Sequence, residues 1–243
     1  MSDERLVFSA VRLECFCHDV LSKAGLNEAG AKILTESLLC AELRGVSSQG
    51  LVRLSTYLQR VAAGVMEIDP EMVLEKEFAA SALINANNGF GQIAGAKAMD
   101  LAMQKAATNG SAVVAVKNSN HFGVAAYYAM RALKENMVGI VITNSSPAMT
   151  PYNGRIPLLG TNPLAIAIPA LEQKPIVLDM STSVVARGKI RYASIVGKKI
   201  PLGWAVDAEG IPTEDAKAAL KGSLEPIAGP KGAGLSLCID LLC

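Results

Sequence analysis

Apolar positions recur at helical spacing through about the first sixty residues. Leu6 to Lys23 is amphipathic and stops at Gly25, a residue suited to the left-handed turn that closes helices. Ala31 to Leu43, rich in Ala and Leu, predicts a second helix, and Leu51 to Ala63, stopped by Gly64, a third. Between them Arg44-Gly45-Val46-Ser47-Ser48-Gln49-Gly50 reads as a polar loop bounded by glycine. From about Glu71 the period changes. Ser81 to Ala86 is a short strand candidate, and Gln92 to Ala107 predicts a helix with Met99, Ala102, Met103 and Ala106 in one stripe. Ala112–Val116 and Val138–Thr143 are continuous apolar runs and predict buried strands, with a helix over Val124–Glu135 between them. Leu164–Ile168 and Pro175–Leu178 complete the strand set. Strands alternating with helices give an α/β chain of α+β character, with the N-terminal helices as a separate small domain or a covering layer. The last ten residues, Gly234 to Cys243, are apolar and periodic and stop without a cap, so the chain is expected to be shorter than the natural fold.

Composition narrows the class. The 243 residues are 51% apolar and 19% charged, the balance of a packed globular protein. With 23 basic and 22 acidic residues the net charge is +1, and no run of either sign suggests a nucleic-acid or membrane-surface partner. No window approaches the ~18 apolar residues a membrane helix needs. Met1-Ser2-Asp3-Glu4-Arg5 carries both signs of charge with no apolar stretch behind it, so a cytoplasmic protein is expected. Cys15, Cys17, Cys40, Cys238 and Cys243 form no CxxC pair and have no histidine at ligand spacing. They predict buried thiols in a reducing compartment and no metal site.

Gly89-Phe90-Gly91-Gln92-Ile93-Ala94 matches a relaxed dinucleotide fingerprint between a strand and a helix. Asn85, Asn87 and Asn88 lengthen the turn, however, and the next strand ends in Lys117-Asn118, with no carboxylate for a ribose hydroxyl. A glycine-rich helix start is the preferred reading.

Of the two histidines, His18 lies within an amphipathic helix and reads as a surface or half-buried residue. His121 stands just past a strand, in Asn118-Ser119-Asn120-His121-Phe122-Gly123, where α/β proteins place reactive groups. An imidazole there can exchange a proton near neutral pH, or it can cap the following helix; residue type alone leaves both open. Three further polar clusters sit beside strands: Thr143-Asn144-Ser145-Ser146-Pro147, Leu159-Gly160-Thr161-Asn162-Pro163 and Asp179-Met180-Ser181-Thr182-Ser183. Hydroxyls and backbone amides in such loops can hold a polar or phosphorylated ligand. Gly229-Pro230-Lys231-Gly232 presents one lysine on a rigid turn.

Taken in order, these segments, with Arg187-Gly188-Lys189, resemble the type-2 malate/L-lactate dehydrogenase family, which includes ureidoglycolate and sulfolactate dehydrogenases, diketogulonate reductase and cyclic-imine carboxylate reductases. The resemblance implies a non-Rossmann cofactor domain on a largely antiparallel sheet, a helical domain drawn from both chain ends, a homodimer, and NAD or NADP as cofactor. It assigns proton transfer to His121, with Gln49 at the catalytic position that the family fills with histidine, and the substrate to Arg53, Ser48, Thr161 and Asn162. It assigns the cofactor to Asn120, Ser145, Asp179, Met180, Ser181, Thr182, Ser183, Lys231 and Gly232. A guanidinium fork at Arg53 suits bidentate pairing with a substrate carboxylate.

The implied domains are 1–75, helical; 76–225, cofactor-binding; and 226–243, the start of a segment returning to the helical domain. The implied function is NAD(P)H-dependent interconversion of a small 2-oxo acid and its 2-hydroxy acid. One departure bears on it. The family loop reads Ser-His-Gly, whereas this chain has Ser48-Gln49-Gly50, and glutamine cannot exchange a proton at neutral pH. Either His121 does the acid–base work alone, or the protein is a catalytically impaired, cofactor-binding relative. A second, smaller departure is Ala233 where many members carry tyrosine.

Overall fold

The computed structural model describes residues 7–243; Leu6, where the first predicted helix begins, and the Met1–Arg5 segment lie outside the described residues. The chain forms two compact units, one up to Met137 and one from Val138 to Cys243.

The first unit opens with three helices, α1 (Ala10–Lys23), α2 (Glu28–Leu43) and α3 (Val52–Ala62). Helix α2 starts three residues before the apolar pattern does, because the Asn27 side chain accepts from Gly30 N at 2.8 Å and caps it. The loop before α3 tightens into a 3₁₀ turn at Ser47–Gln49. Leu21, Leu34, Leu38, Leu54, Tyr57, Phe90 and Ile93 form one core beneath these helices. Each such side chain contributes roughly 1.5–3 kcal/mol through burial. Strand β1 (Val73–Glu77) pairs antiparallel with β2 (Ser81–Asn85), and β2 pairs parallel with β3 (Val113–Lys117). Helix α4 (Gly91–Asn109) makes the β2-to-β3 crossover and closes at Gly110, whose φ is +81°. Helix α5 (Ala125–Ala129) follows.

In the second unit β5 (Leu164–Ile168) lies between β4 (Gly139–Ile142) and β6 (Ile176–Met180), antiparallel to both. Helix α6 (Arg187–Ile195), strand β7 (Ala205–Val206), helix α7 (Ala216–Lys221), strand β8 (Ser223–Leu224) and helix α8 (Pro230–Leu242) follow, with β7 antiparallel to β8. Met149, Leu159, Val185, Ile190, Ile200 and Leu224 are core residues here. Among the described residues β2–β3 is the one parallel ladder, so the chain is a mixed α/β protein with largely antiparallel sheets.

Several sequence expectations need correction. The runs 112–116 and 138–143 were expected to be buried, yet β3 and β4 each have an exposed face, with Val113 71% and Ile140 61% exposed. Both are edge strands of three-stranded sheets. The helix expected over Val124–Glu135 is α5 followed by a 3₁₀ segment, Met130–Glu135, which ends at Asn136 in the left-handed region. Of the cysteines only Cys17 is buried; Cys40 is intermediate, while Cys15, Cys238 and Cys243 are exposed, and none of the five forms a disulfide. His18 is half-buried in α1, with its Nε2 3.2 Å from Glu28. Among the described residues no helix is long and apolar enough to cross a membrane, and no group of three or more His, Cys, Asp or Glu could hold a metal ion.

Candidate active site

The β2–α4–β3 crossover brings two loops together at the carboxyl ends of its parallel strands, where open α/β sheets bind ligands. Ala86 N donates to Lys117 O at 3.0 Å and Asn88 N to Asn118 O at 2.8 Å, which zips loop 86–90 to loop 118–123. Asn87, Asn88 and Asn118 all have positive φ, a conformation asparagine tolerates better than most residues. The Asn120 side chain then donates to Asn88 O, Asn88 Oδ1 and Gly89 O at 2.8–3.1 Å.

Gly91, the middle of the apparent fingerprint, is explained by packing. A Cβ on it would lie 2.2 Å from Asn120 O, 2.7 Å from Phe122 Cβ and 2.9 Å from His121 O. The histidine loop therefore rests directly on the first turn of α4. Gly95, one turn on, makes room for the Tyr128 ring. Phe122 stacks on Tyr128 with centroids 5.0 Å apart, and the Tyr128 hydroxyl donates to Phe122 O.

Helix α3 supplies the facing side chains. Arg53, Tyr57 and Arg60 stand at i, i+4 and i+7 and so share one face. Tyr57 is 3% exposed, and its hydroxyl lies 2.7 Å from His121 Nδ1. The fully buried Gln92 donates from Nε2 to the same hydroxyl at 2.7 Å. Tyr57 Oη accepts from Gln92, and a Tyr57 proton directed at Nδ1 pairs with the neutral tautomer that carries its proton on Nε2. Burial of the Tyr57 hydroxyl pushes its pKa up to about 12, so it stays a hydroxyl.

His121 is not a helix cap. The N-cap of α5 is Val124, which makes no side-chain capping bond, and Nδ1 of His121 bonds to Tyr57. The residue keeps an exposed edge. Desolvation of the rest, with the positive charges of Arg53 and Arg60, lowers its pKa to about 4. Arg53 is held by its Nε, which donates to Ser48 O at 2.7 Å, and Arg60 donates to Asn120 Oδ1 at 3.1 Å. Gln49 is half-buried, and its Oε1 is inaccessible and without a hydrogen-bond partner among the described residues. Behind it Glu42 accepts from Leu51 N at 2.8 Å and fills the space a Cβ on Gly50 would need.

In the second unit the polar clusters form one hydrogen-bonded set. Asn162, fully buried, accepts from Ser145 N at 3.0 Å and donates to Ser236 O at 2.9 Å. Ser145 Oγ accepts from Thr161 N, and Thr182 N donates to Thr161 O. Ser181 Oγ lies 3.1 Å from Ser183 Oγ, which donates to Val185 O. Thr182 Oγ1 is buried without a partner. Asp179 and Met180 end β6, opposite Ala165 and Leu164. Lys231 is exposed in the first turn of α8, and a Cβ on its neighbour Gly232 would meet Ile227 O at 2.1 Å. Thus His121, Gln49, Ser48, Arg53 and Asn120 gather in the first unit. Ser145, Thr161, Asn162 and Ser181–Ser183 gather in the second, with Lys231 and Gly232 opening α8.

Residues 8–243 match the family model described as malate/L-lactate dehydrogenase. The chain belongs to that family. It is 45% identical over 224 residues to L-sulfolactate dehydrogenase of Methanocaldococcus jannaschii, which covers 92% of this chain and 65% of that relative. It is 43% identical over 231 residues to a malate dehydrogenase of Pyrococcus abyssi, covering 92% and 64%. The chain thus spans a little under two thirds of the length of these relatives. Among solved structures, sulfolactate dehydrogenase from M. jannaschii superimposes with a TM-score of 0.92 at 42% identity, over 98% of this chain and 69% of that one. Delta1-piperideine-2-carboxylate reductase from Pseudomonas syringae gives 0.92 at 33% identity, over 98% and 72%.

Three residues of this site escaped the sequence reading: Tyr57, Gln92 and Arg60. The spacing 53, 57, 60 was visible as a helix face, but nothing in the sequence says which loop that face meets. Gln92 occupied a variable position of the glycine motif.

Proposed function

We propose that the protein is an NAD(P)H-dependent oxidoreductase that interconverts a small 2-oxo acid and its 2-hydroxy acid. The observation that carries this reading is His121: a strand-end imidazole bonded to buried Tyr57 and flanked by two guanidinium groups. Arg53 and Arg60 offer positive charge to a substrate carboxylate beside the ring that handles the proton. Desolvation is the main cause of the lowered His121 pKa, and a bound carboxylate would offset only the smaller contribution of the Arg53 and Arg60 charges. Gln49 cannot exchange a proton and contributes hydrogen bonding alone.

The second unit fits a pyridine dinucleotide in the chemistry of its donors. Ser145, Ser181, Thr182 and Ser183 are hydroxyls beside strand ends, Thr182 Oγ1 has no partner among the described residues, and Lys231 stands at a helix N-terminus. With Asp179, Met180 and Gly232, these residues would hold the cofactor, which when bound supplies or accepts the hydride. Thr161 contributes its hydroxyl, whereas Asn162, bonded at both ends of its amide, positions the Ser145 and Thr161 loops. The same reading makes the protein a cytoplasmic homodimer. Three exposed free thiols fit a reducing compartment, and sedimentation analysis checks the dimer.

The test is nicotinamide binding by fluorescence, followed by turnover of a panel of 2-oxo acids with NADH and NADPH. Binding with turnover supports the reading. Binding without turnover selects the impaired relative that Gln49 suggests, and absence of binding overturns both.

A further inference from the structure

The Gln92–Tyr57–His121 chain is satisfied at every link but one. Gln92 Nε2 donates to Tyr57 Oη and Tyr57 Oη lies against His121 Nδ1, each at 2.7 Å, while Gln92 Oε1 is buried with no partner among the described residues. Such an orphaned acceptor costs about 1–3 kcal/mol. Tyr57 is 3% exposed and Gln92 0%, so solvent does not compete for these groups.

With the Tyr57 proton directed at Nδ1, the neutral ring carries its proton on Nε2. It can hydrogen-bond a ketone oxygen there, but it cannot accept the proton of an alcohol at that atom. Nor can it become imidazolium in place: a proton on Nδ1 must be donated to Tyr57 Oη, and the tyrosine's own proton then needs a new acceptor. Gln92 Oε1 is that acceptor once the amide turns over. The order then reads Nδ1–H to Tyr57 Oη, and Tyr57 O–H to Gln92 Oε1, leaving Nε2 to take a proton from the alcohol or return it to the carbonyl. Only the Oε1 and Nε2 of the amide exchange places. Gly123 leaves space beside the amide, since a Cβ there would already lie 3.5 Å from Nε2.

We propose that Gln92 is a positioning residue that gates protonation of His121 through Tyr57. With its amide nitrogen on Tyr57 the ring is held neutral; with the amide reversed the ring can carry the proton. The inference rests on His121 as the proton-carrying group of the proposed reaction, but its test does not depend on turnover.

The experiment is a titration of ¹⁵N-histidine-labelled protein by NMR, with only His18 and His121 to assign. The wild-type protein should show His121 with Nε2 protonated and Nδ1 bare at neutral pH; the reverse tautomer overturns the proposal. In Gln92→Glu, the carboxylate accepts from Tyr57, so the pKa of His121 should rise by about one unit or more and Nδ1 should carry the proton. In Gln92→Met, which offers Tyr57 no acceptor, the pKa should stay at or below the wild-type value. Equal shifts in both variants, or none in Gln92→Glu, overturn the gate. If neither variant folds, the wild-type tautomer still decides. Failure of nicotinamide binding would leave the tautomer result standing, so the two readings fail separately.

Discussion

Tyr57 Oη lies 2.7 Å from His121 Nδ1 although 64 positions separate the two residues. The same tyrosine ring belongs to the helical core and meets Phe90 edge-on, with centroids 6.0 Å apart. One side chain therefore ties the packing of α3 to the orientation of the strand-end imidazole.

Tyr57→Phe keeps the ring and its contact with Phe90 but removes the hydroxyl. The fully buried Gln92 amide loses its acceptor. Denaturant unfolding should show a loss of about 1–3 kcal/mol. A change below about 0.5 kcal/mol would mean that Gln92 finds another acceptor in the folded protein.

Removing the charge of Arg53 acts on ring and substrate together. In Arg53→Met the pKa of His121 should rise from about 4, because one of the positive charges that lower it is gone. KM for a 2-oxo acid should rise roughly tenfold to a hundredfold, the worth of a charge-assisted carboxylate contact. An unchanged KM would remove Arg53 from substrate binding.

Acid should destabilise the first unit through His121. Its folded pKa is lowered to about 4 against 6.5 in the unfolded chain, so between those values the unfolded state binds a proton that the folded state does not. The contribution is fully present above about pH 6.5 and is lost as pH falls toward 4. Unfolding curves across that window should be flatter in pH for His121→Gln than for the wild type. Parallel curves would show that the ring titrates normally in the folded protein.

Asn162→Ala removes the amide that joins Ser145 N to Ser236 O inside the second unit. The lost hydrogen bonds and the small cavity together should cost about 2–4 kcal/mol. Nicotinamide affinity should fall with stability, as the Ser145 and Thr161 loops lose their tie. Loss of stability with unchanged affinity would separate those loops from the cofactor.

Periodicity located most of the elements because their apolar faces are buried against the cores: α2, α3, α4 and β5 begin and end within a few residues of expectation. Strand β1 was missed for the opposite reason. Val73-Leu74-Glu75-Lys76-Glu77 is exposed throughout, and pairing with β2 and the Lys117–Glu75 and Lys105–Glu77 ion pairs, both 2.8 Å, hold it in place. Those interactions reach across the sequence and leave no local period. His121 and Arg53 stood out by residue type and by family motif. Tyr57 and Gln92 look like ordinary core positions until the fold turns their polar ends toward His121.

The close approach at Gly91 has a consequence for which residues the site can exchange. The atoms a side chain there would strike are Asn120 O, His121 O and Phe122 Cβ, which every non-glycine residue at 120–122 also possesses. No replacement in the loop, glycine at 122 included, can therefore make room for a larger residue at 91, because the carbonyl oxygens of 120 and 121 stay in place. Substitution tolerance should be lopsided across this contact: a saturation library selected for activity should retain glycine alone at 91 while allowing variety at 122.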